Sequence, residues 1–367
     1  MPRKKRKRLN EDEKESCLLT MPVRKLLTCV VPCYSSAAYM EKAVDSLLPG
    51  GEEMEILIVN DGSTDETGAI ADRLAAEYPS IIRVHHQANG GHGSGLNYGI
   101  AHGEGIYFKV LDSDDRLIKE SIPGLMDLLR QHAEPGNQAD LVYHDYVYDQ
   151  PEQENAFRIS YFGTMKPGVL KTWDESRRFH LWNQFVIHSL IYRTQLLRDI
   201  GYTLPEHTYY EDNLYVYQPM AHTRRVIYYH APLYAYYLGR GDQSVNEQNI
   251  LKRLDQLTEV SKTQMTTYRL EELQQLPKHL YKYLINNCCG QLFNVCALQF
   301  IEDSERSHRM NREMWETVRE FDPALYRKLR WNPLGRVCCL PGRIGERLLV
   351  FFFRFGRKMI KFDRSGS

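Results

Sequence analysis

Three short acidic segments contain the residues whose types and spacing could do chemistry. The sharpest is residues 112–115, Asp112-Ser113-Asp114-Asp115, which follow an apolar run. Carboxylates this close repel each other unless a cation lies between them. Mg²⁺ and Mn²⁺ prefer carboxylate and phosphate oxygens, and a cation held here would neutralise a diphosphate leaving group. A solvated acidic turn is the alternative, but the preceding apolar run favours a metal site.

The other two acidic segments each have a functional and a structural interpretation. Residues 60–65 (NDGSTD) follow another apolar run, and a carboxylate there could accept hydrogen bonds from a base or a ribose. Glu211 and Asp212 begin a predicted helix, where a carboxylate could take the proton of an attacking hydroxyl. However, Asp, Ser and Thr are common in turns and helix caps, and acidic residues favour helix starts electrostatically. Alone, neither segment requires a catalytic role.

A glycine-rich segment, residues 89–95 (NGGHGSG), resembles a phosphate cradle. Its spacing matches neither the P-loop nor GxGxxG, so it is a weak signal for a nucleotide fold of those types. The glycines could equally allow the backbone to approach a substrate closely. His92 within the segment is as compatible with a structural role as with a functional one.

Alternating apolar runs and helical patterns predict the elements that position these segments. Residues 26–31, 55–59, 81–84 and 106–111 read as buried parallel strands, with helical spacing between them. Ligands of such a sheet bind beyond the carboxyl ends of its strands, where both acidic turns fall. Alternation at residues 141–148, 157–162 and 226–237 predicts mixed or antiparallel strands, and the pattern is helical at residues 249–329.

Taken together, these residues resemble glycosyltransferase family 2, whose fold is GT-A. Residues 30–34 (VVPCY) are similar to the family's VVPxYN, residues 59–65 (VNDGSTD) to its VDDGSTD, residues 112–115 to its DSDD, and Glu211-Asp212 to its ED motif. Four ordered motifs are far more specific than one. The resemblance implies an α/β fold, a GT-A Rossmann-like mixed sheet flanked by helices and followed by a mostly helical C-terminal subdomain.

The resemblance also implies a site for a nucleoside-diphosphate sugar. Pro32, Tyr34 and Asp61 would line the nucleotide, with Asp61 near the base. Asp112 would contact the ribose side, and Asp114 would hold Mn²⁺ or Mg²⁺ on the diphosphate. Uridine diphosphate is the commonest donor nucleotide in the family.

Catalysis falls, by the same resemblance, on Asp212 and its neighbour Glu211. Asp212 would deprotonate an acceptor hydroxyl for in-line attack on the anomeric carbon, which gives inversion. No QxxRW motif of processive synthases is present, which indicates transfer of a single sugar. Arg240 lies where such enzymes often have a loop over the diphosphate. The alternative is that Arg240 is an ordinary surface arginine. The acceptor would be a saccharide or a lipid-linked molecule in cell-surface polysaccharide or glycolipid assembly.

Two departures from the family pattern and two rival functions remain open. Asn60 replaces the first aspartate of the family's pair, which affects the expected nucleotide contacts, and Ser35 replaces the family's asparagine. A nucleotidyltransferase would also pair a sheet with acidic metal ligands, but it generally has a glycine-rich signature directly after the first strand. An inactive adaptor that binds membrane or nucleic acid would not need the acids at residues 112–115 and 211–212.

The two ends of the chain are basic although the formal net charge is zero. Residues 3–8 are all Arg or Lys, and Arg and Lys outnumber acids beyond residue 324. A helix over residues 343–362 would place apolar and basic residues on opposite faces, which is typical of helices at an anionic membrane surface; docking on its own domain is the alternative. A polybasic tail can also bind nucleic acid, which is less expected here.

These patterns predict four regions and a location. The regions are a basic, disordered tail (residues 1–25), a GT-A domain (26–245), a helical subdomain (246–335) and a basic amphipathic tail (336–367). The eight cysteines form no CxxC pair, and we find neither a secretory signal nor an apolar run of the roughly 18–20 residues that span a membrane. The sequence therefore predicts a cytoplasmic protein, peripheral at the inner face of the cell membrane.

Overall fold

A computed structural model describes residues 23–149, 157–177, 179, 184–238 and 246–359. The predicted α/β architecture is confirmed, because one mixed sheet is followed by a run of helices. The strands are β1 Leu27–Cys33, β2 Met54–Asp61, β3 Ile82–Gln87, β4 Tyr107–Val110, β5 Arg116–Leu117, β6 Leu141–Asp149, β7 Phe157–Ile159, β8 Lys171–Thr172, β9 Leu190–Arg193 and β10 Arg225–Tyr237.

Helices cover the sheet and form the C-terminal region. Those among the strands are α1 Met40–Leu47, α2 Thr67–Glu77, α3 His92–His102, α4 Ile122–Gln131, α5 Thr194–Asp199 and α6 Asp212–Tyr217. Those that follow are α7 Glu247–Lys252, α8 Leu254–Met265, α9 Leu270–Gln274, α10 Lys278–Glu302, α11 Glu305–Phe321, α12 Pro323–Arg330, α13 Pro333–Cys338 and α14 Gly342–Met359.

The sheet has the order β3-β2-β1-β4-β9-β6-β10-β5. β1 lies between β2 and β4 and is parallel to both, and β3 is parallel to β2. β9 runs antiparallel to β4 and to β6, so the second half of the sheet is mixed, as its alternating pattern predicts. Every residue of β1 and β2 is buried, which explains why both read as continuous apolar runs rather than as alternating ones.

The longest helix, α10, lies in the core of the helical region. Leu284, Cys288 and Leu292 are among its buried residues. It is also long and apolar enough to cross a membrane by length and composition, with a mean hydropathy of 1.2 over an 18-residue window. This corrects the expectation that no such stretch exists. The Asn and Gln residues of α10 interrupt its apolar residues, so that the long uncharged stretch is not a continuous apolar run. More than half of that window, 56%, is buried within the protein.

The two ends of the chain are described only in part. The basic run at residues 3–8 lies outside the described residues, as do Arg240 and Phe362. The predicted C-terminal helix is present as α14, which packs against α10 through Leu349 and Phe353. The predicted domain boundaries at residues 25, 245 and 335 stay predictions.

Candidate functional site

The loops that follow the parallel strands are joined by hydrogen bonds at one edge of the sheet. Ser36 after β1 and Ser113 after β4 share a hydrogen bond of 2.8 Å between their hydroxyl oxygens. The backbone N–H of Ser35 donates to the hydroxyl of Ser63 in the loop after β2, at 3.0 Å. Because β1 is parallel to β2 and β4, these loops emerge side by side, and both acidic turns belong to one surface.

Asp61 fixes the glycine-rich segment. Its carboxylate is buried and accepts hydrogen bonds from the backbone N–H groups of Gly90 and Gly91, each at 2.8 Å, and from the side-chain amide of Gln87 at 2.7 Å. Gly62 follows in the left-handed region at φ +72°, where a Cβ would lie 2.7 Å from the backbone nitrogen of Asn89. Only glycine fits at this position without strain. The hydrogen bonds that Asp61 accepts give it a structural role in addition to its place beside the cleft.

A cleft of about 950 Å³ runs from these loops to the helical region, within the range of small-molecule sites. Tyr34 and Asp61 lie at its sheet end, Glu211 and Asp212 lie between, and Phe353 and Arg357 of α14 line its helical end. A second cavity of about 210 Å³ is lined by residues that include Pro32, Tyr34, Asp61, Asp112 and Asp114. The two cavities share Tyr34, Asp61, His92 and Asp112 and form one continuous candidate site.

His92 connects the two acidic segments. Its Nδ1 lies 2.6 Å from Oε1 of Glu211, and its Nε2 lies 3.1 Å from Oδ1 of Asp112. Burial lowers the pKa of His92, but the hydrogen bonds to Asp112 and Glu211 outweigh it and hold that pKa well above its ordinary value. The side chain is therefore an imidazolium that donates to both carboxylates, and it holds the two acidic segments together across the cleft.

Asp212 has the properties of a general base. It is the first residue of α6 and lines the cleft next to Glu211, whose side chain is buried and engaged by His92. Burial and the neighbouring Glu211 carboxylate raise the pKa of Asp212 to about 7. A carboxylate with this pKa is mostly ionised just above neutrality and is a far better proton acceptor than an ordinary aspartate. Tyr210, with φ +69°, shapes the turn before it.

Asp112, Asp115 and His188 offer ligand atoms that all lie within 4.8 Å of one another. Burial lowers the pKa of His188 to about 4, so its imidazole is neutral and one of its ring nitrogens carries a lone pair. Asp115 instead accepts hydrogen bonds from the hydroxyl of Tyr234 at 2.6 Å and the N–H of Tyr237 at 2.8 Å. Burial, Asp112 and Asp114 raise its pKa well above the ordinary value, which suits a residue that holds the turn in place.

The carboxylate ligands of this cluster fit Mn²⁺ or Mg²⁺, which prefer carboxylate oxygens. Asp114 lies outside the Asp112–Asp115–His188 cluster but lines the smaller cavity together with Asp112. The turn therefore presents two acids, Asp112 and Asp114, to the cavity and keeps the third, Asp115, in the fold.

Lys109 supports the site from below the sheet surface. It is fully buried on β4, and its ammonium group contacts Nε2 of His144 at 2.9 Å and donates to the backbone carbonyl of His188 at 2.8 Å. Burial lowers the pKa of Lys109 to about 7. No sequence pattern indicates that Lys109 is buried at the site. A lysine inside an apolar strand is identified as buried only when the residues around it in space are known.

The structure brings the predicted site residues together. Of the predicted set, Pro32, Tyr34, Asp61, Asp112, Asp114, Glu211 and Asp212 line the two cavities, and Arg240 lies outside the described residues. Their individual roles stay predictions. Sequence reasoning missed His188, Lys109 and Arg357 and left His92 open. The position of His92 in the glycine-rich segment was the only available signal.

Comparison with known proteins gives matches to both the sequence and the fold. Residues 28–191 match the family model described as Glycosyl transferase family 2. The uncharacterized glycosyltransferase MG025 homolog of Mycoplasma pneumoniae is 31% identical over 231 residues, which are 61% of this chain and 71% of that protein. An uncharacterized glycosyltransferase of Rickettsia felis is 37% identical over 122 residues, which are 33% of this chain and only 19% of that protein.

Among solved structures, residues 1–349 of Staphylococcus aureus TarS have a similar fold. The TM-score is 0.61 at 16% sequence identity, and the match covers 90% of this chain and 92% of that one. The same TarS segment in complex with UDP-GlcNAc gives a TM-score of 0.60 at 15% identity. This likeness confirms the predicted fold class, a mixed sheet followed by helices.

Proposed function

Because the chain belongs to glycosyltransferase family 2, we propose that it transfers one sugar from a nucleoside-diphosphate sugar to an acceptor hydroxyl, with inversion at the anomeric carbon. The observation that carries this proposal is the place of Asp212. It lines the same cleft as Tyr34 and Asp61, and its pKa is raised to about 7. A proton acceptor tuned to neutral pH beside a nucleotide-sized cavity is what direct displacement requires.

In the proposed reaction, the Asp212 carboxylate takes the proton of the acceptor hydroxyl. The hydroxyl oxygen forms a bond to the anomeric carbon as the bond from that carbon to the diphosphate oxygen breaks, and its electron pair leaves with the nucleoside diphosphate. Attack from the face opposite the leaving group inverts the configuration. Asp212 then releases its proton to solvent.

Glu211 and His92 position the base. The Glu211 side chain accepts a hydrogen bond from the His92 imidazolium, so Glu211 cannot turn toward the acceptor without losing this contact. Its negative charge nevertheless raises the pKa of Asp212. We therefore propose that Glu211 raises the pKa of Asp212 and that Asp212 accepts the proton.

We further propose that Asp114 and Asp112 hold Mn²⁺ or Mg²⁺, with His188 next to them. When bound, the cation neutralises charge on the departing diphosphate. Family members with this fold commonly use a divalent metal. The acids of residues 112–115 are kept apart in function, because Asp115 is tied to Tyr234 and Tyr237.

The first donor to test is a UDP-linked sugar. TarS, which shares the fold, has been solved with UDP-GlcNAc, and Tyr34 is exposed at the sheet end of the cleft, where a base can stack on its ring. The acceptor side is bounded by Tyr146, Tyr148 and Tyr236. Aromatic rings of this kind suit a saccharide acceptor, in polysaccharide or glycolipid assembly at the cell surface.

Neither rival function is favoured by the site. A nucleotidyltransferase is disfavoured by Pro32-Cys33-Tyr34 at the carboxyl end of β1, where a glycine-rich signature would be expected, and by the family match. An inactive adaptor is disfavoured because Asp112, Asp114 and Asp212 all line the continuous site formed by the two cavities.

Calorimetric titration of UDP into this chain, with and without Mn²⁺, tests the donor site. We expect binding that requires Mn²⁺ and is lost in Asp114→Asn, and we expect Asp212→Asn to bind UDP normally but to lose about 10²- to 10⁴-fold in kcat with the sugar donor that the wild type uses. Asp174→Asn, an exposed acid distant in sequence, is the control. Absence of binding for all nucleoside diphosphates with either metal would contradict the proposal.

A further inference from the structure

The C-terminal helix α14 (Gly342–Met359) has two apolar faces with different surroundings. Leu349 and Phe353 are buried, at 0% and 8% exposure, and pack toward α10, where the Phe353 ring lies 6.5 Å from that of Phe293. A second set of apolar residues points away from the protein. This set, which we call the apolar stripe, consists of Ile344, Leu348, Phe351, Phe352 and Phe355, all exposed.

The stripe is concentrated apolar surface rather than scattered exposure. Of the twelve large apolar side chains exposed in the described part of the chain, seven lie between residues 331 and 355, and five of those form the stripe. At helical spacing they cover an arc of roughly 100°. Single exposed apolar residues are ordinary, but a contiguous patch of this kind marks a binding surface.

Positive charge borders the stripe. Arg347 and Arg354 are exposed and follow each other along one edge of it, since residues seven apart lie nearly above each other on a helix. From residue 323 to residue 359 the sequence has nine Arg or Lys residues and a single acid, Glu346. An acidic phospholipid surface carries negative charge over its whole area and therefore complements this entire basic stretch. A folded protein partner need not be anionic over so long a stretch.

The same helix also forms part of the candidate site. Phe353 and Arg357 line the helical end of the cleft, and Nη1 of Arg357 lies 3.0 Å from Oε2 of Glu247 on α7, which fixes the helix there. Whatever covers the apolar stripe therefore lies about one helix diameter from the helical end of the cleft, or roughly 10 Å.

We propose that the apolar stripe of α14, with Arg347 and Arg354, binds the surface of an anionic phospholipid bilayer and brings the helical end of the cleft to that surface. The stripe enters the boundary between headgroups and acyl chains, while the arginines contact lipid phosphates. In the cell this corresponds to the inner face of the membrane. On the basis of the proposed function, the acceptor class is then a membrane-embedded, lipid-linked molecule.

Vesicle sedimentation of the full chain tests the surface. The vesicles are phosphatidylcholine alone or phosphatidylcholine mixed with phosphatidylglycerol, and the variant is Phe351→Gln/Phe352→Gln/Phe355→Gln. The three rings are about half exposed, so each contributes about fivefold to partitioning, and the triple variant should lose on the order of 100-fold. Arg347→Gln/Arg354→Gln should lose about fivefold per arginine on the mixed vesicles and nothing on neutral ones.

A control variant separates the stripe from exposed aromatic surface in general. Phe157→Gln/Phe162→Gln removes two exposed rings elsewhere and should bind mixed vesicles as the wild type does. UDP binding in the presence of Mn²⁺ should be unchanged in the triple variant, which shows that the site is intact and keeps a failure of this proposal distinct from a failure of the proposed function.

Three results would overturn the proposal. The first is vesicle binding of the triple variant at wild-type strength, and the second is no binding of the wild type to mixed vesicles. The third is a wild-type dimer in sedimentation velocity that the triple substitution dissociates, without any vesicle binding, because the stripe would then be covered by a second copy of the chain.

Discussion

The pH dependence of the reaction should report the environment of Asp212. The proposed general base, Asp212, acts only when it is ionised, and its pKa is raised to about 7 by burial and by Glu211. At pH 5 about one molecule in a hundred then has the ionised form, so kcat/KM should be about 100-fold below its plateau above neutral pH. An ordinary aspartate would keep nearly full activity at pH 5. The sign follows from the raised pKa, because activity is present above about pH 7 and lost as the pH falls.

The substitution Glu211→Gln makes the test specific. It removes the negative charge that is the second cause of the raised pKa, so the acid limb should move to lower pH by about one unit. Two other charged groups face Asp212, namely the His92 imidazolium, which lowers its pKa, and Asp112, which raises it. Glu206→Gln, an exposed acid five residues earlier, is the matched control and should leave the limb in place.

The assay is kcat/KM for the donor from pH 5 to pH 9 at saturating Mn²⁺, with near-UV circular dichroism at each pH to confirm that the fold is retained. Residual activity of Asp212→Asn should show no acid limb. A flat profile down to pH 5 in the wild type, or an identical limb in Glu211→Gln, would refute the assignment of Asp212 as the base.

Three further predictions concern the fold that positions the site. Asp61→Asn should lower the free energy of unfolding by about 1–3 kcal/mol in urea denaturation, because a charged acceptor of the Gly90 and Gly91 N–H groups is lost, and an unchanged midpoint would show that these bonds contribute little. Lys109 binds fewer protons when folded than when unfolded, because its pKa falls from 10.5 to about 7. Between pH 7 and pH 8.5 stability should therefore rise more steeply in the wild type than in Lys109→Met, by a difference in slope that grows from about 0.7 to about 1.4 kcal/mol per pH unit, and equal slopes would argue against a neutral buried lysine. In thermal melts, Gly105→Ala should destabilise the protein by roughly 1–3 kcal/mol, because the added Cβ would lie 2.2 Å from the backbone nitrogen of Thr28. Gly290→Ala in α10 is the control: its added Cβ meets no atom within 4 Å, and the substitution should stabilise the protein by about 0.5–1 kcal/mol.

Local patterns were sufficient to predict the first half of the fold. The apolar runs at residues 26–31 and 55–59 predict strands and are found as β1 and β2, because strands buried on both faces require continuous apolar runs. The acidic turns were placed at strand ends for the same reason, and they lie there. Both inferences rest on short-range periodicity, which a sequence displays directly.

The surroundings of the C-terminal helix were less accessible from its sequence. Residues 343–362 show an amphipathic pattern, and two interpretations, membrane contact or docking on the protein, were open. In the structure α14 docks through Leu349 and Phe353 and still leaves Phe351 and Phe355 exposed. A helical wheel gives the angle between residues but not which arc the protein covers, so the pattern alone cannot separate the two faces.

The sequence by itself determined the family motifs, their order and the strands that end in them, because each of these is a local property of the chain. Only the tertiary structure decided that His92 bridges Asp112 and Glu211, residues 20 and 119 positions away, that Lys109 is buried beneath them, and that burial and Glu211 raise the pKa of Asp212 to about 7. The physical reason is that charge interactions and desolvation depend on distances through space and on exclusion of water, and neither is encoded in the spacing of residues along the chain.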